Sequence, residues 1–591
     1  MQNADAYSAV VPPATKAGCR SQIAERNGTN QRKTAICLIL ALIVSAALRF
    51  IDLGQKPLWC DELATLQRLS LPLSEHLGQM SGNHPLYELL LRLWMPPDAS
   101  DAWMRIPSAA LGVLAVWLTW KLVRGVGRWE GLIAAWLMAL SPLHLMYSRI
   151  GRAYSLACTL ALASNLAFIW ALRRRNALSF AAYVLATALM VYANLIAASV
   201  WMAQALFLLW FYLPAVAPGP LKRWRGQMAK AGRRRLRRIG YWLFANVAVA
   251  ALLAPWMLFN VRNAVVWSVE TKYTPQQLGT WAKACYLALT LCLGETVHPL
   301  NLWVVLPAFL GFGAAMAFGI LRVLRRRGLV RRSPWMPKPW RRRLGEGGRL
   351  GLFLLIQLVV LFVAGLCFAA VAPKHLTILL PAWCGLLAIG IFRFRMPRND
   401  RGLKPVPQSP GKPHSLWRRL QPATLPLCGL STWICGGFML ATTAASLFNY
   451  FTNRQFADAD MVTPWREIAA TIERSSGPHD VIIVGYRPDR GMYYMFRRYY
   501  RGKLEVQYLD FSDWRGYLSR SGRGGAIWLL LHDGDPWRDI ERWLGERKLA
   551  FEMIPFQEEE HTLKWLRAGL REREKYRSPL YRLYRISSGE N

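Results

Sequence analysis

Asp61 and Glu62 stand side by side in the stretch Leu58-Trp59-Cys60-Asp61-Glu62-Leu63, and His84 follows in Asn83-His84-Pro85-Leu86-Tyr87. Two carboxylates and an imidazole could activate a hydroxyl as general base or bind a divalent cation such as Mg²⁺ or Mn²⁺. A second group is cationic: the segment SPLHLMYSRIGRAYSL carries His144, Arg149, Arg152 and Tyr154. A third, Ala372-Pro373-Lys374-His375, runs directly into LTILLPAW. The guanidinium fork matches the oxygens of a phosphate, and a Lys-His pair in a short turn suits the same kind of anion. Each group taken singly has a plain alternative, a solvated acidic loop or cations snorkelling at a membrane boundary. Convergence of all three on one face would favour chemistry, and it depends on the elements that carry them.

The chain has 591 residues, 53% of them hydrophobic, with 74 Lys+Arg against 35 Asp+Glu and a net charge of +39. A soluble nucleic-acid-binding protein could show that charge balance, but it would not also carry repeated apolar stretches of spanning length. Spans are expected at roughly 34–51, 106–123, 131–148, 154–172, 177–194, 196–213, 241–259, 301–321, 350–371, 376–392 and 426–448. The region 281–294 is short for a span and reads as re-entrant or interfacial. Placing the amino-terminal tail in the cytoplasm puts the segments 1–33, 121–130, 173–176, 214–240, 322–349 and 393–425 on the inner side. They hold 39 Lys+Arg and five Asp+Glu, whereas the exterior loops hold ten and nine. The positive-inside rule is met throughout, and the excess charge faces anionic lipid rather than nucleic acid.

The expected fold is therefore mainly α: a polytopic helical domain, 34–448, behind a basic cytoplasmic tail, 1–33, in the plasma (inner) membrane. Span 1 reads as an uncleaved anchor, since no short apolar region and cleavage site precede it. An odd span count puts residues 449–591 on the exterior, periplasmic or extracellular side. There, short apolar runs (481–484, 526–531) alternate with amphipathic segments (464–474, 536–545), which suggests a small α/β domain. Its glycine-rich pieces match no phosphate-loop or dinucleotide fingerprint. A structural or acceptor-positioning role is the default for it. The ten cysteines form no CxxC pair and imply no disulfide framework.

With this topology the three groups do meet. Asp61, Glu62 and His84 lie in a long first exterior loop, 52–105. Arg149, Arg152 and Tyr154 lie where spans 3 and 4 turn, and Lys374 and His375 in the turn before the tenth span. An Arg at the hydrocarbon boundary costs up to about 2.5–3.5 kcal/mol, so it usually has a partner.

In this order of motifs the chain resembles the GT-C membrane glycosyltransferases of the protein-mannosyltransferase and aminoarabinose-transferase type. It looks most like their bacterial galacturonosyltransferase-like branch. The likeness covers roughly residues 35–395 and is strongest in the first 160. It implies a polyprenyl-phosphate-sugar donor, transfer outside the membrane to an envelope acceptor (lipid, polysaccharide or protein), and Asp61 as the catalytic carboxylate with Glu62 its neighbour. It further implies substrate-binding roles for His84, Arg152 and Tyr154. Leu86 stands where the family has a second proline, and Lys374-His375 where it has Arg-Tyr. The rival from another class is a flippase for lipid-linked sugars, which would need ionisable groups in mid-span; apart from Arg49 near the end of span 1, the spans are nearly free of acids and bases. An O-antigen polymerase or ligase would centre on a long late loop, whereas here the long loop is the first.

Overall fold

The computed structural model describes residues 16–79, 85–96, 98–212, 239–258, 280–325, 346–367, 373–393, 425–453, 463–485, 492–509, 511–521, 525–532, 535–560 and 577–587. The chain opens with α1 (Lys16–Phe50), whose apolar part is Gln31–Phe50. The first long loop then folds into α2 (Cys60–Leu69), α3 (Leu73–Gln79) and α4 (Pro85–Trp94). The bundle continues with α5 (Asp101–Val123), α6 (Arg128–Leu140), α7 (Pro142–Ser148), α8 (Tyr154–Arg174), α9 (Ala177–Ala193) and α10 (Ala198–Tyr212). After these come α11 (Ile239–Leu258), α12 (Thr280–Leu293), α13 (Leu302–Arg325), α14 (Glu346–Cys367), α15 (Leu380–Arg393) and α16 (Leu425–Phe451).

Among the described residues, seven helices are long and apolar enough to cross a membrane. Each of the eleven expected stretches falls on helix in its described part (residues 213, 259 and 368–371 lie outside the described residues), with three differences. The stretch expected at 131–148 is two helices, α6 and α7, bent by 58°. Pro142 has no N–H to donate, and Ser141 leaves the helical region (ψ 117°) to cap α7 through its side chain. The stretch at 376–392 begins as a 3₁₀ turn, Pro373–Ile378, before α15. At 1.5 Å per residue, α9, α10 and α15 span only roughly 21–26 Å, short of a ~30 Å hydrocarbon core. Helix α12, with 14 residues, is likewise too short to cross alone.

Polar groups inside the bundle are paired. Gln204 donates to Asn165 Oδ1 at 2.9 Å and Gln357 to the same oxygen at 2.6 Å, which ties α8, α10 and α14 together. Around them Phe168 stacks on Phe353 (5.4 Å) and meets Phe207, Tyr183 and Trp242. Arg49 is fully buried in α1, with both Nη atoms engaged and Nε left without a hydrogen-bond partner. It donates to Ser45 O, to Ser45 Oγ and to Ala139 O near the end of α6, and meets His144 Nδ1 at 2.7 Å. The break at Pro142 frees such terminal carbonyls, so the bend in α6–α7 and the buried cation belong together.

The carboxyl-terminal unit holds α17 (Trp465–Ser475), β1 (Val481–Gly485), α18 (Met492–Tyr499), β2 (Val506–Leu509), α19 (Trp514–Ser521), β3 (Ile527–His532), α20 (Trp537–Glu546), β4 (Phe551–Glu560) and β5 (Arg577–Ile586). The sheet order is β2-β1-β3-β5-β4, parallel from β2 to β3 and antiparallel through β5 and β4. β1 and β3 are apolar along their length because both faces are covered. Ile482, Val484, Trp528 and Leu530 pack with α17 and α18, while Ile483, Leu529 and Leu531 pack with α19 and α20. The small α/β unit is as the sequence predicts.

Helices α13 and α15 cross at small residues, as close membrane packing requires. A Cβ on Gly390 would fall on the carbonyl of Ala315, whereas one on Gly437 would meet nothing. Gly390→Val is therefore expected to lower the melting midpoint of the solubilised protein, by the ~1–3 kcal/mol of overpacking or more. Gly437→Val should leave it unchanged; equal midpoints for the two variants would contradict the crossing.

Candidate active site

Glu62 sits in the first turn of α2 and is fully buried. Its Oε2 accepts from Trp59 N at 2.9 Å and Arg105 Nη2 at 2.6 Å, and its Oε1 from Arg105 Nε at 2.8 Å and Gly151 N at 2.6 Å. The fork of Arg105, near the start of α5, matches the carboxylate bidentately. Its remaining donors go to the carbonyls of Leu53, Lys56 and Pro57. The loop before α2 is thus wrapped around one guanidinium, and Glu62 carries a structural load in place of an open catalytic face.

Asp61 faces the other way, its side chain 31% exposed. Lys374 Nζ lies 3.2 Å from its Oδ2, and Arg152 Nη2 3.9 Å from the same atom. Lys374 also sits over the Trp59 ring at 4.6 Å. Arg152 is buried and reaches Thr65 Oγ1 (2.5 Å), Asp61 O (3.3 Å) and Glu88 Oε1 (3.6 Å). Burial disfavours its charge, but Asp61 and then Tyr154 and Glu88 hold its pKa above the ordinary value. Tyr154 is buried and packs edge-on against both His375 (6.0 Å) and Tyr147 (5.2 Å). His375 meets Asn194 Nδ2 at 3.3 Å. Burial first, then Lys374, pushes its pKa down to about 3, so it is neutral at physiological pH.

Three segments far apart in sequence (58–65, 152–154 and 373–375) therefore bring together Asp61, Arg152, Tyr154, Lys374 and His375. Arg149 is not among them. Its guanidinium is spent on the carbonyls of Leu48, Ile51 and Asp52 at 2.7–2.9 Å, capping the end of α1. The sequence expects it to bind phosphate; here its donors go to these three carbonyls. His84 lies outside the described residues.

Several groups escaped the sequence reading. Glu88, in α4, is buried and bound by Arg68 (2.5 Å) and His76 (3.1 Å) as well as facing Arg152. Burial alone would push its carboxyl up; Arg68, then His76 and Arg152, outweigh that and hold it below the usual range. The signal was there, a lone acid in the apolar stretch PLYELLLRLW. Glu295 accepts from Tyr147 and from Tyr286 (3.3 Å), backing the Tyr147–Tyr154 pair. Asp101 links α5 to the carboxyl-terminal unit. It accepts from Arg498 Nη2 (2.5 Å) and Tyr499 Oη (2.7 Å), while Tyr499 Oη accepts from Leu58 N (2.7 Å). Leu63, one residue past Glu62, is buried in the core of that unit. Among the described residues no three metal-ligating side chains converge. One carboxylate between two cations is a poor donor set for a divalent ion.

No family model and no curated protein matches the sequence. Solved structures do. The chain is similar to ArnT from Cupriavidus metallidurans in the apo state, with 13% identity and a TM-score of 0.48 over 94% of this chain and 98% of that one. It is similar to the same protein bound to undecaprenyl phosphate, with 12% identity and a TM-score of 0.44 over 93% and 97%. It is also similar to the Archaeoglobus fulgidus oligosaccharyltransferase, with 13% identity and a TM-score of 0.42 over 78% and 61%.

Two expectations separate the neighbours Asp61 and Glu62. Glu62→Gln leaves Arg105 buried without its counter-charge, a change worth about 3–5 kcal/mol, so it should lower the melting midpoint sharply. Asp61→Asn should leave that midpoint nearly unchanged; equal shifts would contradict the division of roles. Glu88 should show in the acid limb of stability. A depressed folded pKa contributes stability that is complete above the unfolded value of about 4.3 and lost as pH falls through the folded value. The stability difference between wild type and Glu88→Gln should be constant near neutrality and shrink below about pH 4.3; a difference independent of pH would refute the assignment.

Proposed function

We propose that this chain is a membrane glycosyltransferase. It moves a glycosyl group from a polyprenyl-phosphate-linked donor to an envelope acceptor at the membrane face bearing α2–α4, with its amino terminus in the cytoplasm. The observation that carries the reading is the partly exposed Asp61 carboxylate held against Lys374 and Arg152, at the positions where the motif resemblance puts the catalytic carboxylate and the anion-binding cations. The two cations would take the carrier phosphate once donor binds, since phosphate competes with a carboxylate for the same donors. Asp61 is then released to accept the proton of the acceptor nucleophile.

The step is a direct displacement. The acceptor oxygen forms its bond to the anomeric carbon from the side opposite the phosphate, with inversion, as the carbon–oxygen bond to phosphate breaks. The proton passes to Asp61 and from there to solvent. The developing charge on the departing polyprenyl phosphate is met by Arg152 and Lys374, and electrostatic stabilisation of this kind is usually the larger contribution to rate. Tyr154 and neutral His375 border the same space and would contact the sugar or phosphate oxygens. The transport alternative has less support, because the buried cation Arg49 lies in the last turn of α1 rather than in mid-span, with both Nη atoms held by protein partners.

In proteoliposomes with a polyprenyl-phosphate sugar and envelope extract as acceptor source, Asp61→Asn is expected to cut turnover by about 10²–10⁴-fold with donor binding retained. Arg152→Ala should raise the donor concentration needed for half-maximal rate, and Arg152→Lys should restore it only in part, because the fork is lost. Turnover of Asp61→Asn close to wild type would reject the proposal.

A further inference from the structure

Helices α5 and α8 both start at the candidate active site and run to the opposite end of the bundle, where a large groove lies between α1, α5, α8 and α14. Its volume is about 1000 Å³. Leu38, Leu122 and Leu166 form part of its apolar floor, and Trp120 and Trp170 line its flank. Its ionisable lining is of one sign: Lys121, Arg124, Arg128 and Arg173. A smaller cavity of about 250 Å³ shares Ile169, Arg173 and Leu350 with it, and adds Arg175 and Arg349. Among the described residues no carboxylate lines either space. Glu130, two residues beyond Arg128, is buried and pairs with Arg322 at 3.8 Å.

We propose that this groove is a binding site for an anionic glycerophospholipid of the bilayer, separate from the donor site. Two features call for a lipid rather than a small anion: the apolar floor needs hydrocarbon to cover it, and the cations sit at its rim. Arg124 is held over the Trp120 ring at 4.5 Å and Lys121 over the Trp117 ring at 4.7 Å. Indole rings of this kind settle at headgroup level. Basic pockets between membrane helices are fitted for anionic headgroups, whose attraction to each nearby cation adds up. A zwitterionic lipid supplies the same chains but no net charge to match a wall without acids. Polyprenyl phosphate supplies a charge, but its phosphate is called for at the other end of α5 and α8.

The test is native mass spectrometry of the full chain, released from detergent after incubation with phosphatidylglycerol, phosphatidylethanolamine or undecaprenyl phosphate. Phosphatidylglycerol should stay bound at activation energies that strip phosphatidylethanolamine. Replacing Arg124, Arg128 and Arg173 together by Ala should weaken its retention by about 10²-fold, on the order of fivefold per cation. The triple Lys variant should keep most of it. Should the triple Ala chain fail to fold, Lys121→Glu alone, an exposed change at the rim, should still lower retention. Equal retention of phosphatidylethanolamine, loss of undecaprenyl phosphate retention in the same cation variants, or indifference of phosphatidylglycerol retention to the loss of the cations would each overturn the site.

Discussion

The buried pair of Glu62 and Arg105 is the interaction from which the geometry of the site follows. Burying an ion pair is costly unless the geometry is good and every remaining donor and acceptor is met. Here all are: Glu62 accepts four hydrogen bonds, and Arg105 closes the carbonyls of Leu53, Lys56 and Pro57. Three elements are joined in this way, the start of α2, the start of α5 and the turn at Gly151. The same turn presents Arg152. Asp61 is therefore aimed outward because its neighbour is held inward, and the cation beside it is placed by the backbone that neighbour grips.

The carboxyl-terminal unit works on the same loop from the opposite side. Arg466 donates to the carbonyls of Gly54 and Gln55, Tyr499 bridges Leu58 and Asp101, and Leu63 is packed into the unit's own core. A loop of this length would otherwise be mobile, since loops carry few buried contacts of their own. Held between Arg105 and α17–α18, it presents the Asp61 carboxylate in a fixed position. The unit thus braces the loop, and among its described residues none contributes a group to the Asp61 cluster.

Periodicity and length made the helices legible in the sequence, and strand-helix alternation made the α/β unit legible. The motifs at Asp61, Arg152 and Lys374 marked three segments that do meet. Other features depend on partners no local pattern reveals. Arg149 and Arg152 are equivalent as sequence, two arginines three apart, but one faces the end of α1 and the other faces Asp61. Glu62 looked as available as Asp61 until Arg105, 43 residues away, was seen to occupy it. Glu88 and Glu295 are single acids in apolar surroundings, and their roles rest on contacts with Arg68 and Tyr147. The bend at Pro142 was readable from proline chemistry alone, but was hidden inside a stretch whose total length matched one span.

The central claim is that the carrier phosphate is held at the Asp61 end of the bundle by Lys374 and Arg152. Its most direct test is photo-crosslinking in proteoliposomes with a polyprenyl phosphate carrying a photoreactive group beside the phosphate, followed by peptide mapping. Crosslinks are expected in residues 149–154 and 373–378, and excess unlabelled polyprenyl-phosphate sugar should suppress them. Crosslinks confined to the basic end, around residues 121–128, would contradict the account.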